Sequence, residues 1–285
     1  MRLLRAFSRT QALLRKGRRF VAGGRLKLAL SVFDELVECA PGYAPAYNER
    51  GKVLLLLKLS KRALADFDRA LELAPRSAEY LNNRGSALLR LNRFNPAIAD
   101  FTRALSLAPS DPVPYNNRGS AHNKLGHPQL AVADFDRALE LDPGYAAARS
   151  NRATAQWKLG RMAEALADYD TALRLNPRSA TTLLNRAAAY HHLHDYERAL
   201  ADLNEAIEWD PKLAAAFRMR AMAWRKLGNA KRARLDTERA LKLDPGIALR
   251  SATERARRRA VGAALRRRRP GHFTPLPKTR AIGGP

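Results

Sequence analysis

Proline recurs every 34 residues along this chain, at Pro41, Pro75, Pro109, Pro143, Pro177, Pro211 and Pro245. Twelve residues before each stands an alanine: Ala29, Ala63, Ala97, Ala131, Ala165, Ala199 and Ala233. Glycine or alanine lies 24 residues before each, at Gly17, Gly51, Gly85, Gly119, Ala153, Ala187 and Ala221. A second alanine lies five before most of them, from Ala70 to Ala240. Small residues on such a schedule mark places where helices cross closely. The period divides the chain into seven units without insertion: 10–43, 44–77, 78–111, 112–145, 146–179, 180–213 and 214–247. A unit of this size cannot bury a core alone, so its apolar face must be covered by its neighbours in a stacked array.

Each unit reads as two helices. Apolar and small residues at helical spacing, such as Tyr115, Gly119, His122 and Leu125, form the first. A turn follows, with glycine at Gly126, Gly160 or Gly228, the residue type suited to a left-handed helix cap. The second helix opens with Pro96 or Pro128 in units three and four, where a missing N–H is tolerated. It ends before the repeating proline, whose ring disfavours helix at the residue ahead of it.

The array resembles the tetratricopeptide repeat family over more than four-fifths of the chain. The resemblance implies an all-α fold: a right-handed α-solenoid superhelix of antiparallel helix pairs, with a concave groove that holds peptides or other proteins. It names no partner.

Net charge is +25, and it is unevenly placed. Residues 1–33 carry nine bases and no acid, and residues 248–285 carry eleven bases against Glu254 alone. The groove's ligand therefore does not follow from the overall charge. Cys39 is the only cysteine; it excludes a disulfide framework, and its place, where later units carry Leu73, Leu107 or Leu141, predicts a buried structural thiol. No apolar run approaches the ~20 residues of a membrane span. The opening stretch, acid-free and Arg-rich, reads as a basic segment (1–9) leading into a degenerate first repeat in a cytoplasmic protein. A mitochondrial or plastid transit peptide has a similar composition.

Two polar columns run through the repeats. Arg50, Arg84, Arg118, Arg152, Arg186 and Arg220 recur in the first helix, and Asp66, Asp100, Asp134, Asp168, Asp202 and Asp236 in the second. The expected arrangement pairs each Arg with an Asp across the hairpin or to the adjacent unit. The other column is Asn83, Asn117, Asn151 and Asn185, with Asn48, Asn82 and Asn116 beside it. In tetratricopeptide superhelices this place faces the groove, and similar asparagines hold an extended peptide by its backbone. An amide offers both an acceptor and donors, and Asn is a mediocre helix former whose repetition calls for an explanation. Four such rungs, at roughly 0.5–1.5 kcal/mol each, fall short of micromolar affinity once entropy is counted. Specificity then falls to a basic stripe at Arg90, Lys124, Lys158, His192 and Lys226, with Trp157 as an aromatic anchor. The expected ligand is an extended, acidic or carboxylate-bearing segment, and the expected role that of a protein-binding scaffold or adaptor. The carboxylate clamp that holds chaperone C-termini is not matched: its lysine and second asparagine are replaced by Asn82 and Ser86, or Asn116 and Ser120.

His191, His192 and His194 lack further ligands at metal spacing, no nucleophile–base or phosphate-loop pattern occurs, and no cofactor is implied. Unit seven departs from the pattern, with Met219 at the ladder place and Thr237 where Phe67, Phe101 and Phe135 stand. Beyond it, residues 248–269 read as an Arg-rich closing helix and 270–285 as a disordered tail. Arg257, Arg258, Arg259, Arg266, Arg267, Arg268 and Arg269 are candidate anion contacts or a nuclear-localisation signal. They supply the alternative reading, a nucleic-acid-associated protein whose array is a spacer between basic ends.

Overall fold

The computed structural model describes residues 2–246, with side chains from residue 8 onward. The closing helix, the tail and all seven C-terminal arginines named above lie outside the described residues. These residues form fourteen α-helices and no strand. The helices are α1 (Arg2–Ala22), α2 (Leu26–Cys39), α3 (Ala44–Leu56), α4 (Ser60–Leu73), α5 (Ala78–Arg90), α6 (Phe94–Leu107) and α7 (Pro112–Leu125). They continue as α8 (Pro128–Leu141), α9 (Ala146–Lys158), α10 (Met162–Leu175), α11 (Ala180–His192), α12 (Tyr196–Trp209), α13 (Ala214–Lys226) and α14 (Ala230–Leu243). Two compact units divide them: Met1–Trp209, with α1 to α12, and Asp210–Pro285, whose described part is the α13–α14 hairpin. Helix α1 runs unbroken across residue 10, where the repeat period begins.

In the first unit each odd-numbered helix pairs with the even one after it, and each even helix then packs on the next odd helix. The backbones of successive odd helices also approach closely, whereas those of successive even helices stay further apart. The odd helices therefore line the inner face, and the even helices splay outward.

The 34-residue schedule has a direct packing cause. Phe33, Phe67, Phe101 and Phe135 are fully buried in the even helices, and each ring lies on the glycine of its own odd helix. A Cβ built on Gly51 would stand 2.6 Å from Phe67 Cε1, and one on Gly85 2.6 Å from Phe101 Cε1. Where alanine takes the glycine's place the ring changes too. Ala153 faces Tyr169, whose hydroxyl lies 2.8 Å from Thr154 Oγ1, and in the next hairpin Ala187 accompanies Leu203.

The turn inside each hairpin has one residue in the left-handed region, again at 34-residue spacing. Gly24, Gly126, Gly160 and Gly228 take it at φ between 69° and 87°, and Lys58, Asn92 and His194 take it at φ 63°, 58° and 62°. A glycine relieves that conformation, and three hairpins do without one.

The arginine column is a set of clips. Arg50 donates to both oxygens of Asp66 at 2.8 and 2.7 Å, and its remaining nitrogen reaches Asp34 of the preceding even helix at 3.0 Å. Arg84, Arg152 and Arg186 repeat this with Asp100/Asp68, Asp168/Asp136 and Asp202/Asp170. Arg118 uses Asp134 and Thr102, and in the second unit Arg220 grips Asp236. In the first unit each clip joins two successive even helices whose backbones do not approach closely. The hydrogen bonds to Asp66 hold the Arg50 guanidinium above its ordinary pKa.

Cys39 contradicts the expectation of burial: it is a free, exposed thiol. Leu73 and Leu107, at its place in later repeats, reach the cluster of Ala70, Tyr80, Leu81 and Ala104. The place is marginal to the core, since Leu175 and Trp209 are exposed there as Cys39 is.

Candidate partner-binding groove

The inner face of the first unit is floored by uncharged polar side chains because the asparagine column falls on odd helices, three positions before the hydroxyl column of Ser86, Ser120 and Thr154. Those hydroxyls turn back on their own helices. Ser86 Oγ donates to Asn82 O and Ser120 Oγ to Asn116 O, both at 2.9 Å.

The asparagines are linked to one another across the repeats. Asn83 Nδ2 donates to Asn48 Oδ1 at 2.8 Å, Asn117 Nδ2 to Asn82 Oδ1 at 2.9 Å, and Asn151 Nδ2 to Asn116 Oδ1 at 2.9 Å. Longer contacts to Ser86 Oγ (3.5 Å) and Ser120 Oγ (3.4 Å) engage the amides of Asn117 and Asn151 further. Asn48 and Asn116 are buried, so the neighbouring column anchors the ladder. On spacing alone the two columns are equal faces; the structure makes one the support of the other. The ladder's amide donors are largely committed, and the capacity left to Asn83 and Asn151 is mainly carbonyl acceptor. Asn185 differs, because its support position is Ser150, whose hydroxyl instead accepts from Thr182 Oγ1 at 3.1 Å.

Two members of the basic stripe are exposed yet tied to the preceding odd helix. Arg90 Nη1 donates to Leu55 O at 3.1 Å and Lys158 Nζ to Asn123 O at 2.7 Å, each closing the carbonyl end of the preceding odd helix. Such bonds satisfy helix carbonyls without neutralising the cation. Burial and the adjacent Lys124 push the Lys158 ammonium below its ordinary pKa. Lys124 and His192 are exposed in the first unit, and Lys226 is exposed at the end of α13 in the second. Trp157 is half-buried: it packs on the Ala153, Ala165, Tyr169 and Ala189 cluster and lies 5.9 Å from the His192 ring. It is part of the contact between hairpins rather than a free-standing anchor.

Glu49 is a feature of the inner face that the sequence reading missed. It occupies the ladder place in α3, 34 residues before Asn83, and is only 5% exposed. Arg18 of α1 grips it at 3.0 and 2.6 Å, and Lys52 lies 3.3 Å away. With Val21, Leu56 and Glu79 these residues line a cavity of about 350 Å³ at the N-terminal end of the face. The signal is present in the schedule, as the one acid in a column of asparagines.

His191 and His194 pack against the Tyr196 ring, with centroids 5.2 and 5.9 Å from it. Among the described residues no three His, Cys, Asp or Glu side chains gather as metal ligands. No described helix is long and apolar enough to cross a membrane.

Tetratricopeptide repeat models match residues 44–77, 78–111, 116–180 and 151–214. The chain belongs to the tetratricopeptide repeat family. Its fold class is the right-handed α-solenoid of antiparallel helix pairs, as in the solved structures it resembles. A tetratricopeptide repeat protein of Parabacteroides merdae is 22% identical with a TM-score of 0.67, covering 83% of this chain and 94% of that one. A chain of the Cut9–Hcn1 hetero-tetramer of the APC/C is 20% identical with a TM-score of 0.69, covering 83% of this chain and 45% of that one. A thermophilic tetratricopeptide repeat protein of Thermus thermophilus is 26% identical with a TM-score of 0.56, covering 63% of this chain and 98% of that one. No curated protein matches significantly. Tetratricopeptide repeat proteins generally mediate protein–protein interaction, and the inner face of α5, α7, α9 and α11 is where this member carries its polar ladder.

Proposed function

We propose that this tetratricopeptide repeat protein is a non-enzymatic scaffold that holds an extended segment of a partner protein along the inner face of its first unit. The observation that carries the reading is the cross-linked asparagine ladder of Asn83, Asn117 and Asn151. Fixed by buried neighbours, these amides are pre-ordered, so little side-chain freedom is lost on binding. The carbonyls of Asn83 and Asn151 accept backbone N–H groups of the partner, and Asn117 Oδ1, which takes only a long 3.4 Å bond from Asn116 Nδ2, contributes its remaining acceptor capacity between them. Asn185 adds a whole amide at the end of the row. The partner's own carbonyls and carboxylates are met by Arg90, Lys124 and Lys158, which favours an acidic sequence. Amide rungs read the backbone and not side-chain identity; the basic rim supplies the discrimination.

The test is selection of peptides from a random display library by the full chain and by two variants, Asn117→Ala/Asn151→Ala and Lys124→Glu/Lys158→Glu. The reading expects acid-enriched peptides whose affinity falls at least tenfold in both variants. Peptides that bind the asparagine variant as well as the parent protein would remove the ladder from the site. Melting curves separate lost binding from lost fold.

A further inference from the structure

The turns inside the hairpins of the first unit lie side by side along one edge. The bonds from Arg90 to Leu55 O and from Lys158 to Asn123 O show that the C-terminal ends of successive odd helices are neighbours. The chain loads this edge with positive charge well beyond the groove rim. Lys27 lies in the first turn of α2, Lys58 in the turn before α4, and Lys61 and Arg62 in the first turn of α4. Arg93 and Arg161 are the residues that precede α6 and α10. All six are exposed, and none makes a side-chain ion pair among the described residues.

Helix stabilisation does not account for them. The N-terminal end of a helix is its positive pole, where acids are favourable and cations are not. Yet α2, α4 and α6 have no acid in their first turns, and cations stand in or just before those turns instead. The opposite edge, where one hairpin joins the next, interleaves Glu72, Asp111 and Asp142 with Arg76 and Arg178. The turn edge carries Glu164, Asp195 and Glu197 only at α10 and α12; along α2, α4 and α6 its positive charge is uninterrupted, and the fold itself gives no reason for it.

A line of unpaired cations set against helix N-termini complements a polymer with a regular row of negative charges. A bilayer surface is the poorer match: the exposed large apolar side chains of this edge, Leu28, Leu56, Leu59, Leu130 and Leu193, are missing from the third and fifth hairpins, so they do not form the continuous apolar band that interfacial insertion uses. We propose that this edge is a phosphate-backbone surface for nucleic acid, bound without regard to base sequence. Lysine and arginine contacts to phosphates position a strand and carry no sequence information. This site is separate from the asparagine ladder and stands or falls independently of it.

The experiment is fluorescence anisotropy of the full chain with a labelled single-stranded RNA and a labelled DNA duplex, from about 50 to 200 mM salt. The edge variant is Lys61→Glu/Arg62→Glu/Arg93→Glu, with the milder Lys61→Gln/Arg62→Gln/Arg93→Gln beside it. The control of equal charge is Arg69→Glu/Arg137→Glu/Arg174→Glu on the outer helices. The proposal expects at least tenfold weaker binding in the edge variant, a smaller loss of the same sign in the glutamine variant, and a control within about threefold of the parent. The slope of log affinity against log salt should become shallower by about 2 for the single strand, from a contribution of about 0.7 per phosphate contact. Equal losses in edge and control variants would overturn it, since general basicity or the terminal arginines would then carry the binding. So would capture by phosphatidylserine vesicles with neither nucleic acid bound, which would make the edge a lipid surface.

Discussion

Removing Arg118 should weaken the centre of the array more than removing any exposed arginine. Its guanidinium meets both oxygens of Asp134, with contacts of 2.6 and 3.0 Å, and its other end reaches Thr102 at 3.1 Å. In Arg118→Ala the Asp134 carboxylate, 9% exposed, keeps only His122 Nε2 at 3.9 Å. Breaking a fully buried pair typically destabilises by about 3–5 kcal/mol. Arg118 is 22% exposed, and water screens part of the interaction, so the expected loss is about 2–3 kcal/mol. Arg137, paired with Glu140 on the outer surface at 2.7 Å, sets the baseline: Arg137→Ala should change stability by less than about 1 kcal/mol. Urea unfolding followed by circular dichroism gives the total, and hydrogen exchange on α7 and α8 localises the loss, because a repeat array need not unfold in one step. Arg118→Leu/Asp134→Leu, which leaves no orphaned charge, should recover most of it. If Arg118→Ala and Arg137→Ala prove indistinguishable, the clip contributes nothing and the reasoning is refuted.

Other outcomes follow from single positions. His122 stands where Leu54 and Leu88 occur in earlier repeats, its Nδ1 is buried without a partner, and burial lowers its pKa. A lowered folded pKa means that its protonation opposes folding, so stability is retained above the ordinary histidine range and lost as pH falls through it; His122→Leu should stabilise by about 1–2 kcal/mol and flatten that acid-side loss in melting curves. Lys58→Gly should raise the unfolding midpoint by an amount equivalent to about 0.5–1 kcal/mol, since φ 63° strains a lysine and suits glycine; an unchanged or lower midpoint would show that the turn is unstrained. Burial pushes the Tyr169 hydroxyl up to about 12. A raised folded pKa gives stability that is full below the ordinary tyrosine value and is lost as pH climbs toward the folded one, so the alkaline loss, of order 2–3 kcal/mol, should shrink in Tyr169→Phe.

The helix pairs and their inner packing were legible in the sequence because they rest on constraints that permit few substitutions. A ring lying on Gly51 or Gly85 leaves no room for a side chain, and that exclusion repeats as a visible period. The Arg–Asp pairing was legible for the same reason, since two columns of opposite charge with equal spacing have few ways to be satisfied in an array. The ladder was legible as a column but not as a network. Asn83 bonding to Asn48 depends on how far one hairpin is displaced from the next, which no residue spacing states. Cys39 departs from expectation because the position lies at the margin of the core and does not decide burial alone: Leu73 and Leu107 reach the core from it, whereas Leu175 and Trp209 stay exposed. Trp157 reads as an anchor in sequence because it stands beside Lys158 of the recurring basic stripe, but adjacent residues on a helix face different directions.

The central claim is that a partner segment lies against the odd helices of the first unit. Hydrogen–deuterium exchange of the full chain, free and saturated with an acidic peptide from the selection, addresses it most directly. The account predicts protection concentrated in α5, α7, α9 and α11 around Asn83, Asn117, Asn151 and Asn185, with the outer helices unchanged. Protection confined to the even helices, or to the turn edge alone, would contradict it.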